Sequence, residues 1–516
     1  MDWMSPMDAS FLHIEGPMTP MHIGGVSIFE GPAPPFERLE EMVARKLGRV
    51  PRYRQKVRFI PFELGRPVWV DDPHFNLPYH LRHSALPPPG SDEQLRATAA
   101  RIFAQRLDRD KPLWEIWMLE GLRGSRWALL SKVHHCMVDG VSATDLMTIM
   151  FEDDLSPADG APWEPDPEPS DVELVLRTMT RRTLNPSEQL RSVRAALRAP
   201  LTTLAQARDL ARGLASASSI LRPAGGTSLV GAVGPHRAWS TAHVRLSDVK
   251  QVRARLGGTV NDVVLSIVAG GLHDLLAARG EDVAERTVRA LVPVSVRKPS
   301  ERGTYNNRVS AMLAELPVGI ADPAERLGFV RAQMDGLKQS KQAVAGDVLT
   351  SLSGFAPPML LALGARLAAR APSLGLQTGV TNVPGPQAPL HTLGRRLLES
   401  FPFVPVIGTV RTSIAIFSYD GGLYFGVTGD YDSSKDIDVL TRGVERAMSE
   451  LLAAAGKNAA ADEAPASDKP LAADEPRAAG GQPAADEPRT AARAAERERA
   501  REKAQRQHAA RERTSR

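Results

Sequence analysis

Apolar and polar positions in the first third of the chain predict short strands alternating with amphipathic helices. The run Trp127–Val133 is almost continuously apolar, which is typical of a buried strand. It ends at His134 and His135, and Ser142–Asp145 then has the form of a capping box that begins a helix. The pattern therefore places the two histidines in a loop between a buried strand and a helix N-terminus, and loops on a rigid scaffold commonly carry function.

The later part of the chain shows the same mixture of strands and helices. Runs of β-branched and aromatic residues predict strands over 292–296, 412–418 and 423–427. The sequence Asp420-Gly421-Gly422 between the last two strands predicts a hairpin turn. The apolar stretch Val263–Leu276 predicts a helix, and His273 and Asp274 interrupt it too early for a membrane span of about 18 apolar residues.

Changes in composition divide the chain into four zones, in line with the two domains that a chain of 516 residues suggests. The second zone is entered through prolines at 165, 167 and 169, which indicate a linker. The last zone is rich in Ala, Pro, Glu and Arg and has almost no large apolar side chains, so we expect it to be disordered. The zones are 1–165, 166–235, 236–457 and 458–516.

The second zone carries a concentration of basic residues. Nine arginines lie between Arg177 and Arg222, against only Glu188 and Asp209, and leucines recur near helical spacing. A basic amphipathic helix of this kind can lie on an anionic membrane surface. It can equally be a helix that bridges two domains and packs against them, and the sequence leaves both interpretations open.

Charge and cysteine content narrow the class of protein. Hydrophobic residues make up 42% of the chain and charged residues 24%, which is typical of a globular protein. The sequence pI is about 9.2, but residues 493–516 carry nine Lys and Arg against four Asp and Glu, so the basic excess lies in the tail. The folded body therefore does not suggest a nucleic-acid partner. The only cysteine is Cys136 and the N-terminus lacks the pattern of a secretory signal, so we expect a cytoplasmic location.

The spacing of His135 and Asp139 suggests chemistry but does not settle it. A histidine titrates near neutral pH and suits proton transfer, and a carboxylate four residues away could orient it or could hold the loop through an arginine. A structural histidine, a loop-capping aspartate and a metal site with two histidines are the alternatives. The metal site lacks a convincing third ligand nearby, so we expect no metal.

The full segment is more specific, because His134-His135-Cys136-Met137-Val138-Asp139-Gly140 has the form HHxxxDG. This motif resembles that of the bacterial wax ester synthase/diacylglycerol acyltransferase family. Further segments resemble the family in order and spacing, over about residues 1–455, and one departure is Val230, where an asparagine is common. The further segments are Ser5–Phe11, Met21–Gly24, Asp110–Glu115 (with Pro-Leu-Trp), Asn261–Leu265 and Thr381–Pro386.

The resemblance implies an α/β fold with mixed sheets, in which two similar domains of the chloramphenicol acetyltransferase type meet around a channel. It implies an O-acyltransferase without a cofactor, with acyl-CoA as one substrate and diacylglycerol or a long-chain alcohol as the other. His135 is then the general base and Cys136 is not a nucleophile. The resemblance also implies that Asp139 pairs with an arginine of the second domain, for which Arg297 is the best candidate.

The remaining motif residues have supporting roles in this interpretation. We expect His134 and Gly140 to support the loop, and Trp114 to pack beneath it. Asn261 either orients substrate or helps to stabilise the oxyanion from the second domain, or it caps, together with Asp262, the helix that follows.

Lipid substrates imply peripheral contact with the inner membrane or with lipid bodies, through the basic second zone or the basic tail. Two alternatives remain: a related enzyme acting on a specialised envelope lipid, and a lipid-body protein without catalysis.

Overall fold

The structure is a computed structural model, and it describes residues 1–137, 151, 163–184, 226–295, 309–339 and 375–462. The predicted helix after Gly140, most of the second zone and the tail beyond Asp462 lie outside these residues. The helices are α1 (Pro6–Ile14), α2 (Phe36–Lys46), α3 (Leu77–His80), α4 (Asp92–Ala104), α5 (Asp171–Leu184), α6 (Leu246–Leu256), α7 (Val260–Ala278), α8 (Pro323–Gln339) and α9 (Ile437–Asp462). The strands are β1 (Asp2–Trp3), β2 (His22–Phe29), β3 (Gln55–Arg58), β4 (Val68–Asp71), β5 (Leu81–Ala85), β6 (Trp114–Leu122), β7 (Arg126–His134), β8 (Arg237–Arg245), β9 (Val288–Ser295), β10 (Val309–Leu316), β11 (Thr378–Pro384), β12 (His391–Thr392), β13 (Arg395–Phe403), β14 (Thr412–Tyr419) and β15 (Gly422–Asp430).

The first large sheet has the order β12-β13-β2-β7-β6-β5 and forms the N-terminal lobe. Its pairs are antiparallel except for the parallel pair β5–β6, so the sheet is mixed. The predicted strand at 127–133 is β7, which is central and buried along almost its whole length. A continuous apolar run is what a strand covered on both faces requires.

The second large sheet has the order β10-β9-β11-β14-β15-β8 and forms the C-terminal lobe. Strand β11 runs parallel to β14 and β9, and the other pairs are antiparallel. The predicted hairpin is confirmed as β14–β15, where Tyr419 pairs with Gly422. Asp420 and Gly421 both have positive φ, 41° and 78°, as a two-residue hairpin turn of type I′ requires. The mixed α/β fold predicted for both halves is confirmed.

Helix α7 is the buried centre of the C-terminal lobe and confirms the helix predicted at 263–276. It is long and apolar enough to cross a membrane by length and composition, contrary to the expectation from His273 and Asp274, but 72% of that stretch is buried in the fold. Helix α9 packs closely against it, because a Cβ on Gly271 would lie only 2.6 Å from the carbonyl oxygen of Leu440. These features are those of a core helix in a folded lobe.

The two lobes share a strand. β13 belongs to the C-terminal part of the sequence, yet it pairs antiparallel with β2 of the N-terminal sheet, with Phe401 opposite Val26. The division predicted at 1–165 and 236–457 therefore does not coincide with the division of strands between the sheets. Helix α9 also continues to Asp462, beyond the predicted boundary at 457.

A small third sheet, β1-β4-β3, lies at the side of the N-terminal lobe. Helix α5, which follows the proline-rich linker, packs on it through Leu174, which clusters with Ile60, Val68 and Val70.

Candidate active site

His135 lies where the central strand of the N-terminal sheet ends. Strand β7 runs to His134, which pairs with His22 of β2, and a 3₁₀ turn over His135–Met137 follows. The backbone N–H of His135 donates a 2.8 Å hydrogen bond to the carbonyl of Met21. The predicted loop position is confirmed for His135, whereas His134 is still part of the strand.

The imidazole of His135 stacks on the ring of Phe11 in α1, with centroids 3.9 Å apart and planes inclined by 25°. Its Nδ1 atom is buried and has no hydrogen-bond partner among the residues that the structure describes. Burial lowers the pKa of His135 to about 4; the residue's own backbone opposes that shift and His134 adds to it. The ring is therefore neutral at pH 7, which is the state in which it can accept a proton.

His134 is held in one tautomer. The N–H of Cys136 donates a 3.1 Å hydrogen bond to Nδ1 of His134, so Nδ1 is the acceptor and the proton resides on Nε2. Nε2 lies 3.7 Å from Oε1 of Glu15, and both side chains are 1% exposed. The first histidine of the motif therefore links the turn that carries His135 to a buried carboxylate.

Glu15, at the C-terminal end of α1, is an ionised carboxylate in the interior. Arg109 donates to its Oε2 from Nε at 2.9 Å and from Nη2 at 2.5 Å, and the N–H of Met21 donates to Oε1 at 3.2 Å. Burial raises the pKa of Glu15, but its interactions with His134, then Arg109 and His22, outweigh burial and hold the pKa well below its usual range. Arg109 supplies the positive charge that balances the buried carboxylate.

Two paths lead from Glu15 to the peptide groups on either side of the His135 Cα. In the first, Oε1 accepts from Met21 N–H, and the Met21 carbonyl accepts from His135 N–H. In the second, Oε1 faces Nε2 of His134, whose Nδ1 accepts from Cys136 N–H. One carboxylate is thus joined by hydrogen bonds to the backbone at 135, and it also lies 3.7 Å from the histidine that accepts from the N–H of residue 136.

His22 completes the interior of this region. Leu107 N–H donates to Nε2 of His22 at 3.2 Å, while Nδ1 lies 3.4 Å from the carbonyl of Phe103. Burial, followed by the charge of Lys132, lowers the pKa of His22 well below its usual value. His22 is therefore neutral, with its proton on Nδ1.

The thiol of Cys136 is unsuited to nucleophilic attack. The side chain is 2% exposed, and burial, followed by the charges of Asp8 and Glu15, raises the pKa of the thiol well above its usual value. A thiolate is the reactive form of cysteine, and this environment suppresses it.

The segment Asn261–Leu265 of the C-terminal lobe differs in part from its prediction. The N-cap of α7 is Thr259, whose hydroxyl accepts from Asp262 N–H, while the Asp262 carboxylate accepts from Thr259 N–H at 2.7 Å. Asp262 thus closes a capping box and is not itself the N-cap. Asn261 is not the cap either: its Oδ1 accepts from Nδ2 of Asn382, 3.4 Å away in β11. The two asparagine-containing segments singled out in the sequence are therefore in contact.

Asp139, Gly140 and Arg297 lie outside the described residues, so the pairing of Asp139 with Arg297 stays a prediction. Trp114 is confirmed as a packing residue, since it is 1% exposed and donates from Nε1 to the carbonyl of Tyr53. In the described part of the chain, no cluster of three His, Cys, Asp or Glu side chains has the geometry of a metal site.

The sequence did not single out Glu15 or the stacking role of Phe11. Both lie more than a hundred residues from the motif, and the pairing of β2 with β7 brings them there. A glutamate at a helix end and a phenylalanine in an amphipathic helix look ordinary in sequence. The position of Phe11 inside a segment that resembles the family was the available signal.

Comparison with known proteins gives consistent matches. The model of the wax ester synthase/diacylglycerol acyltransferase catalytic domain matches residues 4–264, and the model of the WS/DGAT C-terminal domain matches residues 305–452. A Mycobacterium tuberculosis (strain ATCC 25618 / H37Rv) protein, described as probable diacylglycerol O-acyltransferase tgs1, is 37% identical over 461 residues, covering 88% of this chain and 96% of that protein.

Two solved structures are also similar to this chain in fold. The wax ester synthase/diacylglycerol acyltransferase from Marinobacter aquaeolei VT8 is similar with a TM-score of 0.59 and 25% identity, over 88% of this chain and 100% of that chain. A mutant of the starter condensation domain of rhizomide synthetase RzmA, in complex with C8-CoA and Leu-SNAC, has a TM-score of 0.52 at 14% identity, over 88% of this chain and 94% of that chain. The latter likeness is one of fold.

Proposed function

The chain belongs to the wax ester synthase/diacylglycerol acyltransferase family, and we propose that it transfers a fatty acyl group from acyl-CoA to diacylglycerol with His135 as the general base. The membership confirms the resemblance inferred from the HHxxxDG motif, and with it the assignment as an acyltransferase. The roles of individual residues and the choice of acceptor are the proposal.

The proton path follows from the state of His135. The neutral ring takes the proton of the acceptor hydroxyl while the oxygen attacks the thioester carbonyl, and help of this kind accelerates a reaction typically by about 10²–10⁴. The tetrahedral intermediate collapses with cleavage of the C–S bond, and CoA leaves as a thiolate. An imidazolium whose pKa is about 4 is a strong acid toward a thiolate, since an ordinary thiol has a pKa of about 8.5. The proton therefore passes to CoA, and the base is neutral again without an acyl-enzyme.

The observation that carries the proposal is the neutral imidazole of His135, which is stacked on Phe11 and whose backbone is held on both sides. We expect His135→Ala to lower kcat by about 10²–10⁴ while the melting temperature stays close to that of the wild type. Release of CoA from a long-chain acyl-CoA in the presence of diacylglycerol measures this. Undiminished activity in His135→Ala contradicts the mechanism.

Diacylglycerol is the proposed acceptor because a relative of 37% identity is described as a diacylglycerol O-acyltransferase. A long-chain alcohol is the second candidate, because the similar Marinobacter protein is described as a wax ester synthase as well. Both reactions need the same base and differ in the acceptor alone. Offering diacylglycerol, hexadecanol and a glycolipid in turn separates them, and preference for the glycolipid favours a specialised envelope lipid.

Asp139 and Arg297 form the proposed brace of the active-site loop, and the Asn261–Asn382 contact is the proposed contribution of the second lobe. We further propose that the protein is cytoplasmic, uses acyl-CoA without a cofactor, and reaches its lipid acceptor at the surface of the inner membrane or of a lipid body. The basic region Arg177–Arg222 and the basic tail support this surface contact through their charge.

A further inference from the structure

Exposed apolar side chains concentrate around the small third sheet. Half of the large hydrophobic side chains that are exposed in the described residues lie beside β1, in the segment after β3 or in α5. We call this surface the flank patch. It consists of Met1 (36% exposed), Phe59 (40%), Phe62 (84%), Val172 (69%), Leu176 (58%) and Met179 (51%).

Phe62 is the most exposed of these and is held in an unusual backbone conformation. Phe62 and Glu63 both have left-handed φ values, 56° and 54°, which cost an L-residue about 1–2 kcal/mol each. The phenyl ring itself is exposed to water. Strained residues cluster at functional positions, and burying apolar area from water is favourable, so this ring is a candidate contact with an apolar phase.

Helix α5 presents a second apolar feature beside Phe62. Leu174 and Thr178 are buried, and Thr178 packs against the segment around Gly65 that follows Phe62. Val172, Leu176 and Met179 recur at helical spacing on the opposite face, away from the body of the lobe. An outer apolar face on a helix that already has a buried inner face indicates a second apolar contact.

The chain segment that carries Phe59 and Phe62 is rich in basic residues. Residues 49–66 contain six Lys and Arg and one acidic residue, Glu63. In the described residues, the acidic side chains in contact with this segment include Asp2, Asp71, Glu168 and Asp171, and Asp166 lies beside Asp71. Arg181 adds a positive charge over the ring of Trp3, and Arg177 pairs with Glu173. The segment 49–66 itself therefore carries more basic than acidic side chains, and this excess complements an anionic lipid surface.

The flank patch is also connected to the active site. Met4, after β1, donates from its N–H to the carbonyl of Pro67, and the chain then enters α1, whose Phe11 stacks on His135. The ring of Phe59 lies 6.2 Å from that of His13 in the same helix. The apolar surface therefore borders the helix that supports the proposed base.

From these observations we infer that the flank patch is the surface by which the protein docks on an anionic phospholipid membrane, with Phe62 and the outer face of α5 inserted at the interface. This rests on the proposed function, because a lipid acceptor is what such docking delivers. The binding energy combines buried apolar area with electrostatic attraction.

The test uses the single buried cysteine, Cys136, which allows selective labelling elsewhere. Full-length Phe62→Cys and Leu176→Cys, labelled with an environment-sensitive nitrobenzoxadiazole dye, are mixed with vesicles of phosphatidylcholine with or without phosphatidylglycerol. Phe329→Cys on α8, 38% exposed in the other lobe, is the matched control. We expect emission at positions 62 and 176 to rise at least twofold and shift to the blue with anionic vesicles, less so in high salt, and not to change at 329.

Three results overturn the inference: no response at 62 and 176 when flotation shows bound protein, an equal response at 329, or a blue-shifted signal before vesicles are added. The last result means that another part of the chain or a second copy covers the patch. Phe62→Asn, which keeps a residue suited to left-handed φ, combined with Leu176→Gln weakens vesicle binding about tenfold or more if the inference is right.

Acyl transfer to diacylglycerol dispersed in detergent is measured on the same preparations. The double variant retains that activity if the inference is right, while its activity on vesicle-borne diacylglycerol falls. No transfer in detergent by the wild type, with the dye response intact, contradicts the proposed function and leaves the docking surface standing.

Discussion

The buried polar side chains have different roles in the two lobes. In the C-terminal lobe, the Asp262 carboxylate closes the capping box of α7, and Asp430 accepts from backbone N–H groups of Gly234 and Ser433. These carboxylates satisfy helix ends and turns, as buried polar groups in a fold commonly do. In the N-terminal lobe, the bonds of Glu15 lead to the backbone of His135. Burying a charge is unfavourable unless it is paired, and from this difference we expect the buried carboxylate of the N-terminal lobe to position the proposed base.

Among variants that test this difference between the lobes, Glu15→Gln is expected to have the largest effect on stability and kcat. The substitution leaves Arg109 without its anionic partner, so we expect the free energy of unfolding to fall by roughly 3 kcal/mol. Loosening of the His135 backbone lowers kcat by about tenfold or more, while KM for acyl-CoA changes little, because positioning errors act on the reacting geometry. Denaturant unfolding and steady-state kinetics measure both quantities.

Glu115→Gln is the matched control for that variant. Glu115 lies 3.7 Å from the buried Lys132, in the same lobe, and the described contacts give it no path to the His135 backbone. We expect it to lose stability without a comparable loss of kcat. Equal losses of kcat in the two variants would contradict a positioning role for Glu15.

The pH dependence of stability offers a further check on Glu15. Its pKa is lower in the folded than in the unfolded state, where it is about 4.3, so its contribution is fully present above that pH and is lost as the pH falls toward the folded pKa. The difference in unfolding free energy between wild type and Glu15→Gln is therefore constant near neutral pH and shrinks in acid.

A smaller effect is expected in the pH profile of catalysis. An exposed histidine titrates near 6.5, whereas burial lowers the pKa of His135 to about 4. A base must be unprotonated to act, so kcat/KM stays nearly constant as the pH falls from about 7.5 to about 5.5. The decrease in kcat/KM on the acid side begins at a lower pH. An apparent pKa near 6.5 that disappears in His135→Gln would show that the ring is hydrated.

The smallest effect belongs to the C-terminal lobe. Thr259→Ala removes the N-cap of α7, and we expect the free energy of unfolding to fall by about 1 kcal/mol. Activity at room temperature stays within about twofold of the wild type, because the capping box stabilises the fold. A large loss of kcat at unchanged stability would place the start of α7 in the catalytic machinery and remove the contrast between the lobes.

Local patterns predicted local structure well. The apolar run of β7, the Asp-Gly hairpin and the helix at 263–276 need only neighbouring residues, and the structure has them. The capping box at Thr259 was also readable in the sequence, since Thr and Asp stand three residues apart after Gly257 and Gly258. The prediction that Asn261 and Asp262 cap this helix is therefore wrong, because Thr259 is the N-cap.

The features that the sequence could not predict depend on contacts between residues far apart in the chain. Glu15 reaches His134 only because β2 and β7 are neighbours, and no local pattern records that proximity. The place of β13 in the N-terminal sheet depends likewise on partners more than three hundred residues away. The motif located the proposed base, and tertiary contacts supply its surroundings.

Because β13 pairs with the N-terminal sheet, a break in the backbone between the lobes would affect the folding of both fragments. If the backbone were cut once between residues 185 and 225, the N-terminal fragment would lack β13, and β2 would become an edge strand with unpaired backbone groups. Neither fragment would then be a self-sufficient folding unit, and the N-terminal one would be prone to aggregate. The two fragments, produced together, are expected to reassemble, because β13 of the C-terminal fragment restores the missing pairing of β2.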